Sequence, residues 1–520
     1  MSLQDAAIAA NRFGLGARPG DLKSIAGDPR GWLKAQLTAE TALPAPMAAL
    51  PSTKDDVTAF QRWIVASGLI KSVGAYQRAT APGAPHPGAM MAAGPPSALA
   101  PAPQMAGAEP PNTAPSAQDF TGTRVIKVGD PDFSVEKSFV AWFGPRYVQA
   151  VSARMNVAVD TERPFFERLV RFWGNHFTVS SAKPLTQASP PSFERDVARR
   201  HAMDSFGDML KASSEHPGML LYLDNYISAG PNALLVKHPA LMPPAVRAQI
   251  KGLNENPARE ILELHTLGVR SGYTQEDVTT FAKVITGWTI KPQGGAGGET
   301  GLFNFVDALH EPGAKTVFGV RFDQSGVTQG LAVLDMLAHH PATAHFIATK
   351  LVRHFVADDP PPAAVDKVAA VFRDTGGDLK AVSACLVDLP EAWTPRPTKV
   401  KPPEDFVVSV VRALGGPKLS GVQLTALFTR MGQRPYYAAG PNGWSDIGDD
   451  WIGPDPIWKR LEFASAVGAG MANAGLNPNT VAESVLGPSL TVATRDAIAK
   501  AESPAQGLAL LLVSPEFQRR

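Results

Sequence analysis

Apolar positions recur at helical spacing along most of this chain, and the places where the spacing breaks define its organisation. In residues 163–177 (RPFFERLVRFWGNHF), Phe166, Leu169, Val170, Trp173 and Phe177 follow a helical period behind Pro164, which sits near the first helical position. A second helix is expected from Asn256 and Pro257, as N-cap and first helical residue, to near Gly268. Thr274 and Asp277 have the spacing of a capping box at the head of a third, TQEDVTTFAKVITGW. His340 and Pro341 open a fourth that runs to about Ala357, and further helices are expected over 364–374, 378–388, 404–414, 456–471 and 494–514. One region breaks the period. After Trp288 come a glycine-rich stretch (294–301) and LFNFVDALHEPGAKTVFGVRF, which predicts two short strands paired around a Pro312-Gly313 turn. The pattern predicts a mainly α protein, a multi-helix globular body with a small β-hairpin and a long disordered Pro/Ala/Gly-rich loop.

That loop is legible from composition. Residues 80–117 hold ten prolines and a single charged side chain, Glu109. Such a segment has too little bulky apolar surface to offset its ordering entropy. The expected division is an N-terminal helical segment (1–79) packing on the body, a disordered loop and linker (80–129) and a main helical domain (130–520). At 520 residues the chain exceeds the size served by one ordinary core, and its 44% apolar content is enough to bury one large or two smaller ones.

Charge narrows the function classes. The formal net charge is +1 with no basic run, so no nucleic-acid partner is expected. The single cysteine, Cys385, lies in an apolar helical run and excludes both an intrachain disulfide and a cysteine-based zinc site. No stretch of about 20 apolar residues predicts a membrane span. The N-terminus lacks the charged start and apolar core of a secretory signal. A cytoplasmic location is expected for the chain as it starts, and a periplasmic or exported one if the start codon is mis-called.

Familiar catalytic motifs are absent: there is no Walker A sequence, no G-x-S-x-G elbow and no H-E-x-x-H pair, since His310-Glu311 lacks the second histidine. Helical geometry points elsewhere. His176 falls on the apolar stripe of its helix and is expected to be buried, whereas Glu167 and Arg171 fall on the opposite side as a solvated pair. On the 257–268 helix, Glu260 and His265 fall within the apolar arc, while Glu263 and Arg259 lie away from it. A buried carboxylate needs a partner, for which a histidine, an arginine or a metal would serve. Lys350 and His354 stack one turn apart, where a fixed cation could receive an anion or where their stems simply cover the core edge. His310, Glu311 and Lys315 crowd the predicted turn. The loop at 440–456 offers Asp446, Asp449 and Asp450 without EF-hand spacing, and a solvated loop is the plainer reading.

Several segments together resemble the bacterial family known as domain of unknown function 1800. They are NRFGLGARPGDL (11–22), RLVRFWGNHFTVS (168–180), HPGMLLYLDN (216–225), NENPAREILELHTLGV (254–269), GYTQEDV…TGW (272–288), HEPGAKTVFG (310–319), HPATAHFIATKLVRHFV (340–356) and LLLVSPEFQ (510–518). The resemblance implies a helical fold and no established activity. It also implies relatives that are often exported and encoded beside a sulfatase-like family (domain of unknown function 1501), a possible partner. The chain departs from the family pattern at Pro257, where an aromatic is usual, and at Glu311, where aspartate is expected.

Two functional readings follow. One is an enzyme with a His/Glu site, a divalent-metal centre or an acid/base pair, built from His176, Glu260, His265 and His310. The other is a non-catalytic helical scaffold acting with a sulfatase-like partner. They differ in whether those four side chains converge.

Overall fold

The computed structural model describes residues 2–66, 135–242, 247, 250, 252–269, 271–291 and 300–520. The Pro-rich segment 80–117 lies outside them, as does most of the glycine-rich stretch.

The fold is mainly helical. Helix α1 (Leu3–Ile8) starts at a capping box between Ser2 and Asp5 and runs into a π turn, Ala9–Phe13. Helix α2 (Val135–Asp160) is followed closely by α3 (Pro164–His176), which begins at its proline as expected. Helix α4 (Gln275–Val284) carries the predicted capping box, with Thr274 accepting from the Asp277 N–H and Asp277 accepting from that of Thr274. Helix α5 (Pro341–Phe355) is capped by the His340 side chain, which accepts from Ala342 N at 3.1 Å. Helix α6 (Pro403–Leu414) is buried on every side.

Three expectations are corrected. The strand segments before and after Pro312-Gly313 do not pair with each other. β1 (Trp288–Ile290) pairs antiparallel with β2 (Phe303–Phe305), and β3 (Lys315–Val317) pairs with β4 (Val320–Phe322). The tight turn is Phe318-Gly319, with φ of 52° and 72°, the two positive values that a two-residue hairpin of matching twist requires. The helix expected over 494–514 is two, Val492–Ala499 and Pro504–Val513, because Pro504 cannot continue a helix and instead opens one behind a Ser503 cap. The helix from Asn256 stays α only to Glu260; residues Ile261–Thr266 form a π turn.

One contiguous apolar core runs from Ala6 to Phe517. The N-terminal segment is pinned into it. Phe13 stacks on Phe355 and meets Phe165 edge-on. Three buried side chains hold the carbonyls of the GLG stretch: Arg168 donates to Gly14 at 2.7 Å, Ser409 to Leu15 at 3.1 Å and Arg412 to Gly16 at 2.8 Å. Gly16 has φ of 101°, and a Cβ there would lie 2.8 Å from Ser409 Oγ. Glycine is required at that point by conformation and by close approach. Cys385 is buried and free. No helix among the described residues is long and apolar enough to cross a membrane.

Candidate functional site

Two of the four sequence-predicted site residues come together. His176, at the end of α3, is buried and donates from Nε2 to the carbonyl oxygen of His265 at 3.1 Å. The carbonyl is free to accept because it lies in the last turn of the helix, beyond which no intrahelical N–H follows; within the π turn Leu267 N bonds back to Leu262 O, and the Thr266 hydroxyl to Ile261 O. Burial pushes His265 down to about 3, with Lys350 adding to the shift, and the same causes hold His176 well below the ordinary histidine value. Both rings are therefore neutral near pH 7. His176 Nδ1 and His265 Nε2 are buried without hydrogen-bond partners.

Lys350 on α5 acts on this pair, and His354, one turn on, packs against Phe172. His354 Nδ1 bonds Asp446 Oδ1 at 2.8 Å, and its Nε2 is buried and unpartnered. Burial opposes ionisation of Asp446, but His354, Lys350 and Lys399 outweigh it and hold the carboxyl below its usual range. Asp446 is thus a half-buried partner of His354; Asp449 and Asp450 are exposed in the same loop. Among the described residues, no group of three or more His, Cys, Asp or Glu is placed to hold a metal ion.

Glu260 and His310 lie apart. Glu260 is half-buried, takes no hydrogen bond among the described residues, and has its carboxyl raised by burial and then by Glu263. Glu263 is the partnered acid, accepting from the Tyr273 hydroxyl at 2.6 Å. His310 belongs to a clamp on the Pro312 turn. Its Nδ1 lies 3.0 Å from Thr286 O. Lys315 Nζ donates to Gln329 Oε1 at 2.6 Å and to the carbonyls of Glu311 and Gly313, while Glu311 accepts from the backbone and side-chain amides of Asn232 at 2.8 and 2.7 Å. Each of these polar groups has a partner, as a structural clamp requires.

The richer chemistry sits where a solvated surface was expected. Glu167 and Arg171 do not form an exposed pair; both are buried. Arg199 reaches Glu167 with bonds of 2.7 and 2.6 Å and Glu40 at 3.2 Å. Arg154, on α2, binds Glu404 at 2.8 and 3.3 Å and also pairs with Glu194. Arg171 lies 3.7 Å from Glu404, and Asp405 binds Arg168 at 2.7 Å as well as Arg520. The result is a buried ionic seam between α2, α3, the start of α6 and another π turn, Glu194–Arg199. That turn supplies Glu194 and Arg199 to its two ends. Single π turns inside helices often mark functional sites.

A signal for the seam existed. The α6 segment is apolar around its whole circumference apart from Glu404, Asp405, Ser409 and Arg412. A helix of that kind is buried, so its first-turn carboxylates had to find internal cations. Their partners come from positions 154, 168, 171 and 520, and nothing in the local pattern identifies them.

A cleft of about 520 Å³, counting space open to solvent, meets the seam at Glu40. Asn156 and Asp160 from the end of α2, Glu167 from α3, and Arg199 complete its polar side, and Phe166 from α3 lines it too. The Arg163 guanidinium lies 4.0 Å over the Phe166 ring. Glu40 Oε2 is buried without a partner. Burial raises the Glu40 carboxyl against the opposing pull of Arg199.

Fold and site define a mainly helical protein organised around a buried Arg–carboxylate seam with an adjoining cleft. The chain belongs to the family described as Protein of unknown function (DUF1800), whose profile matches residues 8–519. Neither the curated proteins nor the solved structures gave a match.

Proposed function

We propose that this chain is an enzyme that protonates a small polar substrate in the Glu40 cleft, with Glu40 as general acid. The observation that supports this reading is a single group: a carboxyl whose affinity for protons is raised by burial, with one oxygen held by Arg199 and the other unpartnered at the wall of an open cleft. A carboxyl of raised pKa keeps its proton nearer neutral pH, as a general acid must. Both Glu167 oxygens accept from Arg199 Nη2 and fix the guanidinium, and Arg199 Nη1 in turn holds Glu40. Besides Glu40 and Glu167, Asp160 gives the cleft a third carboxylate, and Phe166, Pro44 and Pro46 supply apolar walls.

The test pairs a turnover screen of small polar compounds with carbon NMR titration of Glu40. Glu40→Gln should lower any turnover found by about 10²-fold or more at unchanged melting temperature. A Glu40 midpoint at or below that of an ordinary glutamate, or turnover that survives the substitution, would sink the assignment.

A further inference from the structure

A second, narrower cleft of about 450 Å³, counting space open to solvent, lies at the C-terminal end of α3. Its polar side is formed by Arg154, Glu194 and Glu404, and its aromatic side by Phe193, Tyr436 and Trp444. Two carboxylates stand against one guanidinium there, and Arg154 is shared between them. Arg171 serves Glu404 and Asp405 and does not line the cleft.

Among the described residues, two buried polar atoms on this cleft have no partner: Glu194 Oε1 and the Tyr436 hydroxyl. Glu194 itself is only 5% exposed. Tyr436 also has a left-handed backbone, with φ of 63°. For a bulky residue that conformation is an outlier that persists only where the surroundings impose it, and such positions gather at ligand sites. The surroundings here do impose it. Ser181 N donates to Tyr436 O at 2.7 Å, Ser180 Oγ to Ala438 O at 2.7 Å, and the Asn175 amide clasps Trp444 through bonds of 2.7 and 2.9 Å. Gly443 permits that clasp, because a Cβ there would lie 2.5 Å from Asn175 O. The loop is held so that an acceptor-only carboxylate oxygen and a phenol face one narrow space.

A carboxylate oxygen calls for a donor, and a charged donor makes the stronger bond. Aromatic rings beside it favour a cation carried on a short carbon chain. We propose that this cleft binds an alkylammonium group, with Glu194 Oε1 and the Tyr436 hydroxyl as acceptors and Phe193 and Trp444 against the alkyl chain. The proposal is independent of the Glu40 assignment, because it concerns different residues in a different cleft.

Calorimetric titration of the full chain with n-butylammonium, 1-butanol and butyrate tests it. Saturable binding is expected for n-butylammonium alone, with a dissociation constant of about 1 mM or lower. Tyr436→Phe, which removes one oxygen and keeps the ring, should weaken it by up to about tenfold. Glu194→Gln should abolish it. Failure of n-butylammonium to saturate, equal binding of the alcohol or the acid, or full binding by Glu194→Gln would each overturn the proposal. An Nα-acetyl-lysine amide arm separates two sources of the same chemistry. Tighter binding than n-butylammonium assigns a lysyl side chain of a protein, weaker binding assigns a free amine, and either supports the site.

Discussion

His176 donates its Nε2 proton to the carbonyl oxygen of His265, so one buried imidazole closes the π turn that carries the other. Neither ring can take up a proton without placing a charge inside the core, close to the Lys350 ammonium.

The consequence is a stability that depends on pH in a defined direction. The unfolded chain protonates these histidines near the ordinary value of about 6.5. The folded chain resists protonation until about 3 at His265. Below about 6.5 the unfolded state therefore binds more protons, and stability falls with pH by about 1.4 kcal/mol per pH unit for each such histidine. The contribution is complete above that window and is lost on descending through it. Melting temperatures at pH 7.5 and 4.5 should converge in His265→Phe relative to the unsubstituted chain. An unchanged pH dependence in the variant would refute the buried neutral pair.

Arg199 holds Glu167 within the core, each side chain being 1% exposed. Removing only the cation strands a carboxylate, so Arg199→Ala should cost about 3–5 kcal/mol. The double change Arg199→Met, Glu167→Leu should cost far less, since it strands no fully buried carboxylate and leaves only the half-buried Glu40 without its Arg199 bond. Lys34→Ala, which removes an exposed partner of Asp388, should cost at most about 1 kcal/mol. Denaturant unfolding of the three variants checks the ranking. If the double variant is as damaged as the single one, packing rather than stranded charge dominates at Arg199.

Glu260 and Glu263 should respond in opposite directions. Glu260 lacks a hydrogen bond and has its folded-state pKa raised, so its ionised form is disfavoured by folding at pH 7. Glu260→Gln is expected to leave the melting temperature unchanged or raise it. Glu263→Gln loses the charged acceptor of the Tyr273 hydroxyl and should cost about 1 kcal/mol. A larger loss at Glu260 than at Glu263 would mean that Glu260 has a partner in solution.

Much of the scaffold was legible in sequence because it is written in short-range chemistry. The Thr274–Asp277 capping box, the proline at the head of α3 and the His340-Pro341 helix start each need only neighbours within a turn. The burial of His176 followed from the same periodicity. The pairing of strands around Pro312 is not written in the local pattern because register depends on partners, and residues 303–305 pair with residues 288–290.

The candidate sites show the limit of that reasoning. The residues of 163–177 by themselves determined a helix with an apolar stripe containing His176, and local spacing made Glu167 and Arg171 an exposed pair. Only the tertiary structure decided that the opposite side is buried too, because the cations and carboxylates that neutralise it come from residues 154, 194, 199 and 404. The same holds for the 257–268 helix, where a π turn shifts every position after Glu260 off the helical wheel and takes His265 to His176 without Glu260. Periodicity measures how a side chain is placed on its own element. Whether a charge can be buried depends on what stands opposite, and that is a property of packing between segments distant in sequence.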